Sequence, residues 1–192
     1  MKIGLLGGSF NPVHNGHIEL AQTALKSFEL DKILFLPSGN HPLKNHTSIP
    51  PVEIRYDLAK RAIASNPKLE VSLLDMETKT PCYTKLLVIR LYKKFPKDEF
   101  CFIAGSDIIS ELNKWHDYEW ILNNIKFIIA HRPDIDKSRW NDLDYFDKVN
   151  FMEMEPLDVS STMIRKMVAK GEDISHLVPA NIKNELIVLY SN

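Results

Sequence analysis

The chain has 192 residues, of which 44% are hydrophobic and 26% charged. That suits one domain with a sizeable core and no need of disulfide or metal staples. Lys and Arg total 24 against 25 Asp and Glu, a formal net charge of −1. A general nucleic-acid coat would need a clear cationic excess, and a polybasic membrane patch a basic run longer than Lys93-Lys94. No apolar stretch approaches the roughly 18 residues of a membrane span. The N-terminus, broken at Gly4 and Gly7-Gly8, does not read as a secretory signal. Cys82 and Cys101 form no metal or redox pattern, which fits a reducing, cytoplasmic setting.

The elements alternate along the chain. Residues 2–6 predict a strand, followed by a glycine turn at Gly7-Gly8. Residues 16–28 carry Ile18, Ala21, Ala24, Leu25 and Phe28 at helical spacing. Residues 32–36 predict a strand ended by Pro37-Ser38-Gly39. The stretch 41–51, rich in Pro, Asn, Ser and Thr, reads as a mobile loop at a strand end, where α/β proteins place ligand contacts. Residues 52–64 predict a helix preceded by Pro50-Pro51. A strand over 69–73, a helix over 84–95 and a strand over 99–104 follow. Short helices are expected at 106–112 and 118–123, and strands at 126–130 and 149–154. The polar segment 134–148 reads as a solvated loop or peripheral helix. Helices over 160–169, closed by Gly171, and 182–189 complete the chain. The alternation predicts an α/β fold, a Rossmann-like doubly wound parallel sheet with helices on both faces, built as a single domain over 1–192.

The densest chemical signal is the first strand-to-helix connection, Gly7-Gly8-Ser9-Phe10-Asn11-Pro12-Val13-His14-Asn15-Gly16-His17. Gly7 and Gly8 can take backbone angles closed to other residues and let a ligand approach the main chain. His14 and His17 share a face if the helix begins near His14, and Gly16 between them leaves space above that first turn. Free N–H groups at the helix start make this an anion cradle. It is neither a P-loop nor a dinucleotide fingerprint. By itself H-x-x-H also suits a surface pair or a partial zinc site, but zinc wants further ligands and no Cys/His set supplies them. The second signal is Val159-Ser160-Ser161-Thr162-Met163-Ile164-Arg165. Ser160 suits an N-cap, with Met163, Ile164 and Met167 facing the core. The same hydroxyls and Arg165 would also serve a polyphosphate. Two helix starts, each after a strand of a parallel sheet, would open toward the same edge.

Together these motifs resemble the nucleotidyltransferase superfamily with the H-x-G-H signature, and within it the bacterial nicotinate-mononucleotide adenylyltransferase family. The likeness runs nearly end to end and includes Gly105-Ser106-Asp107, Lys114-Trp115 and Arg132-Pro133. It implies adenylyl transfer from ATP to nicotinate mononucleotide, giving deamido-NAD and pyrophosphate, with a divalent cation, usually Mg²⁺, held largely by the triphosphate. By the resemblance His14, His17 and Arg165 are catalytic. Gly7, Gly8, Ser9, Phe10, Gly16, Gly105, Asp107, Ser160, Ser161 and Thr162 bind ATP, and Lys44, Tyr83, Thr84, Lys114, Trp115 and Arg132 serve the acceptor. The protein itself supplies no metal cage in this reading, and neither nucleic acid nor membrane is a partner; self-association stays open. The competing readings are a sister enzyme acting on phosphopantetheine or nicotinamide mononucleotide, and a nucleotide-binding module without turnover. Plainer roles compete residue by residue: a cap for Asp107, solvation for Lys44, packing for Trp115.

Overall fold

The computed structural model describes residues 1–39, 49–74, 83–131, 136–155 and 157–191. Lys44, Arg132 and Cys82 lie outside the described residues, as does most of the stretch 41–51. Among the described residues six strands form one sheet: β1 (Lys2–Gly8), β2 (Lys32–Pro37), β3 (Leu69–Val71), β4 (Glu99–Gly105), β5 (Lys126–His131) and β6 (Val149–Glu153). Their spatial order is β3-β2-β1-β4-β5-β6, and every pairing is parallel. The sheet is therefore the expected doubly wound α/β sheet. Its order reverses between β1 and β4, and ligands of such sheets bind outside the strands' carboxyl ends at that point.

Helices cover both faces. On one lie α1 (Asn15–Ser27), α2 (Val52–Ala62), α5 (Ser161–Ala169) and α6 (Ala180–Tyr190), packed on Leu6, Ile33, Phe35, Ile103 and Met152. On the other, α3 (Thr84–Lys94), the 3₁₀ stretch Ser106–Lys114 and α4 (Tyr118–Asn124) cover Leu5, Leu36, Phe102, Phe127 and Ile129. Central strands buried on both sides need apolar residues at successive positions, which is what GLLG, FCFIA and FIIA supply. Gly4 is the exception, because a Cβ there would stand 2.6 Å from Ile103 Cδ1 and 2.9 Å from Ile33 Cγ1. Charges follow the helix dipole in α2, with Glu53 in the first turn and Lys60 and Arg61 in the last.

Two expectations are corrected. The segment 134–148, where described, contributes to the core. Trp140 and Tyr145 are buried, Trp140 stacks on Phe151 at 5.7 Å, and the Tyr145 hydroxyl donates to the Ile109 carbonyl at 2.6 Å. Its polar composition hid two anchors spaced along 3₁₀ turns. The third strand stops at Val71, short of the expected 73. The C-terminal signal read from Gly171 holds: at φ +72 it closes α5, with its N–H donating to Val168 and that of Glu172 to Met167.

Candidate active site

β1 runs straight through both glycines, with Gly7 paired to Leu36 and Gly8 to Pro37. The glycines thus do not make the turn. The chain turns at Phe10, which sits in the left-handed region at φ +43. What Gly8 supplies is room: a Cβ would stand 3.2 Å from the Phe10 ring. The ring is buried and meets His17 edge-on, centroids 5.0 Å apart. Phe10 can reach a ligand only through its main chain. Gly7 is exposed, and Gly8 and Ser9 are half-buried, at the carboxyl end of the central strand.

His14 is the residue before the first turn of α1, and His17 closes that turn. The His14 N–H donates to His17 Nδ1 at 3.2 Å, and the two rings stack at 3.7 Å. That bond assigns the proton of a neutral His17 to Nε2, which is left as a donor. Burial pushes the His14 pKa down to about 4. Burial, then the neighbouring His14, pulls His17 well below the usual imidazole value. Both rings are therefore neutral N–H donors at neutral pH. The open space expected above Gly16 is taken by the second motif, since a Cβ there would come within 2.9 Å of Val159 Cγ1.

The second motif docks on the first. Ser160 caps α5, its Oγ accepting from the Met163 N–H at 3.1 Å. Ser161 Oγ donates to the Pro12 carbonyl at 2.7 Å, and Arg165 Nη1 to the Asn11 carbonyl at 2.6 Å. Arg165 Nη2 also reaches Thr162 Oγ1 at 3.3 Å. Met163 and Met167 pack against the core and Ile164 is buried within it. Ser160 and Thr162 are exposed and Arg165 half-buried, which leaves hydroxyls and guanidinium donors facing solvent beside the histidines' turn. Imidazole N–H, hydroxyl and guanidinium groups on one ledge form a donor set for an anion with many oxygens.

Across the switch point, Gly105 ends β4 and Asp107 folds back over it. Asp107 Oδ1 lies 2.8 Å from where a Gly105 Cβ would stand, and Asp107 makes no cap at this 3₁₀ start. Further along the same sheet edge, Tyr83 precedes α3 and Thr84 begins it. The Tyr83 ring packs on His116 at 4.7 Å, which brings it beside Trp115. Trp115 is half-buried and edge-on to Phe102 and Phe127, both at 6.1 Å, so packing accounts for one edge of the indole. Lys114 is exposed, 3.9 Å from Glu111. Sequence reasoning missed His116, Arg55 and Tyr190. Arg55 is 3% exposed and gives its donors to the carbonyls of Ser9, Ser38 and Pro50. A charge three residues before Leu58, on the apolar stripe of α2, was the signal available for it.

The cytidylyltransferase-like family profile matches residues 5–167. A protein from Clostridium acetobutylicum named "Probable nicotinate-nucleotide adenylyltransferase" is 35% identical over 199 residues, covering 97% of this chain and 99% of its own. One of the same name from Rubrobacter xylanophilus is 32% identical, covering 97% and 90%. Among solved structures, Plasmodium falciparum nicotinic acid mononucleotide adenylyltransferase complexed with NaAD superposes with a TM-score of 0.77, covering 99% of this chain and 96% of that one. At 23% identity that likeness speaks for the fold.

Proposed function

The chain belongs to the cytidylyltransferase-like family, and from that premise we propose that it is a nicotinate-nucleotide adenylyltransferase, moving the adenylyl group of ATP onto nicotinate mononucleotide and releasing pyrophosphate. Relatives carrying that name match the chain nearly end to end. The observation that carries the site reading is the docking of the two motifs, Arg165 on Asn11 and Ser161 on Pro12. It brings the Ser160–Arg165 segment against the first loop at the carboxyl end of the sheet, which supports reading the two as one phosphate site.

In this reading the acceptor phosphate attacks the α-phosphorus of ATP, a new P–O bond forms, and the bond to the departing pyrophosphate breaks. No protein nucleophile is needed. The protein aligns two anions and stabilises charge that moves onto the leaving group. His17 donates from Nε2 and, with His14, faces the triphosphate. Ser160, Thr162 and Arg165 hold its outer phosphates, while Gly7, Gly8 and Ser9 let it approach the end of β1. Bound phosphates would raise both imidazole pKa values, because nearby negative charge favours the protonated ring. Gly105 and Asp107 lie at the switch point where the nucleoside would sit. Mg²⁺ enters as part of the nucleotide substrate; the imidazole, hydroxyl and guanidinium donors of the ledge suit phosphate oxygens, and a hard cation prefers the triphosphate and water.

For the acceptor, the nicotinate ring would stack between aromatic faces around Tyr83 and Trp115, with main-chain donors at Thr84 taking its carboxylate. Lys44, Lys114 and Arg132 complete this side of the reading as cations for the mononucleotide. The deciding experiment is an acceptor panel with ATP and Mg²⁺, followed by pyrophosphate release. Nicotinate mononucleotide should be used best, nicotinamide mononucleotide less well, and phosphopantetheine not at all. Preference for phosphopantetheine would overturn the acceptor assignment, and no release with any acceptor would overturn the enzyme reading.

A further inference from the structure

Phe10 adopts a left-handed backbone conformation, which in a non-glycine residue persists only where the surroundings over-determine it. Besides Arg165, which holds the Asn11 carbonyl, the surroundings include two side chains from distant helices. On one flank Arg55 of α2 donates to the Ser9 carbonyl through Nη1, to the Ser38 carbonyl at 2.8 Å through Nη2, and to the Pro50 carbonyl at 3.0 Å through Nε. A planar fork can bridge three carbonyls in a way that a lysine cannot. On the other flank the hydroxyl of Tyr190, the last residue of α6, donates to Asn11 Oδ1 at 2.6 Å. Burial pushes the Tyr190 pKa up to about 12, so the hydroxyl keeps its proton at any working pH. Ser9 and Asn11 are the two neighbours of Phe10, and the Phe10 ring stands edge-on to His17.

We propose that Arg55 and Tyr190 are positioning residues for the transfer reaction: by gripping Ser9 and Asn11 they lock Phe10 in its left-handed conformation, and the Phe10 ring sets where the His17 imidazole stands. The proposal rests on the reading of His17 as a phosphate donor. It makes the first turn of α2 and the last residue of α6 part of the machinery, although neither side chain need touch substrate. A displacement of about 1 Å at a reacting group can cost on the order of a hundredfold in rate, so a brace of this kind would be felt in kcat.

Tyr190→Phe removes one oxygen and keeps the ring. It should lower kcat about tenfold, the worth of one hydrogen bond, and leave the acceptor KM within about twofold. In a His17→Ala background the same change should cost less than about twofold, because the group it positions is gone. Unchanged kcat in Tyr190→Phe, or an equal loss in both backgrounds, would overturn the proposal. A second readout needs no turnover. With ¹⁵N-labelled histidine, the His17 ring signals should move in Tyr190→Phe and in Arg55→Lys, while those of exposed His176 stay in place. A His17 spectrum unmoved in Tyr190→Phe refutes the brace whatever the activity, and one unmoved in folded Arg55→Lys removes Arg55 from it. If the wild-type chain transferred no adenylyl group, the reaction assignment would fail, and this spectrum would still decide the positioning role.

Discussion

His14 and His17 are stacked neutral rings in the free chain, and their neutrality is a property of burial that can be measured. In the unfolded chain His14 titrates near 6.5, and in the folded chain at about 4. Between those values the unfolded state binds more protons, so folding stability is complete above pH 6.5 and is lost as pH falls toward 4. Each such histidine gives a slope of up to about 1.4 kcal/mol per pH unit in that window. Urea midpoints taken from pH 7 to pH 4 should fall accordingly, and His14→Gln should flatten the curve. For catalysis, His17→Ala should lose on the order of 10²–10³ in kcat, as when one preorganised donor is removed, with a smaller change in the ATP KM. Steady-state pyrophosphate release checks it; near-normal turnover would make the ring structural. The two histidines were legible because H-x-G-H places them one turn apart at a helix start. Their support was not. The turn residue is Phe10 rather than Gly7 or Gly8, and nothing local marks a phenylalanine for the left-handed region. Arg55 and Tyr190 act 46 and 179 residues away from the groups they hold, through oxygens that every residue or any Asn could offer.

At the scale of elements, the decisive junction is between the start of α1 and the segment leading into α5. Gly16 sits on it, with Val159 Cγ1 2.9 Å from where a Cβ would be. Gly16→Ala sets two effects against each other. Helix propensity favours alanine by up to about 1 kcal/mol. Overpacking against a branched side chain with stiff χ1 costs about 1–3 kcal/mol and should win. Because the strain falls between the two motifs proposed to hold the triphosphate, the ATP KM should rise several-fold while the acceptor KM holds; a substrate titration on each side separates the two. Trp115→Ala belongs to the same scale. The edge packed on Phe102 and Phe127 predicts some loss of stability, and its half-exposed remainder predicts a larger loss of acceptor binding than of ATP binding. Equal loss for both substrates would leave packing as the whole role. Most elements were readable from the sequence because strands buried on both sides and amphipathic helices leave different periods. The segment 134–148 was not, since Trp140, Leu143, Tyr145 and Phe146 are scattered among polar residues and follow neither the strand nor the α-helix period.

The whole molecule is arranged around a switch point that four distant stretches of chain reach together. The first loop is finished by Ser161, Arg165 and Tyr190, at separations of 149, 154 and 179 residues. Contacts so far apart close late in folding, because loop closure must precede them. Protection of the Phe10–His17 amides in pulsed hydrogen exchange should therefore appear after that of β1, β4 and β5. Protection gained together with those strands would show that the loop is set by its own sequence. The same wiring bears on biosynthesis. Translation delivers His14 and His17 long before Arg165 and Tyr190, so a growing polypeptide carries the first loop without its fastening until residue 190 has been made.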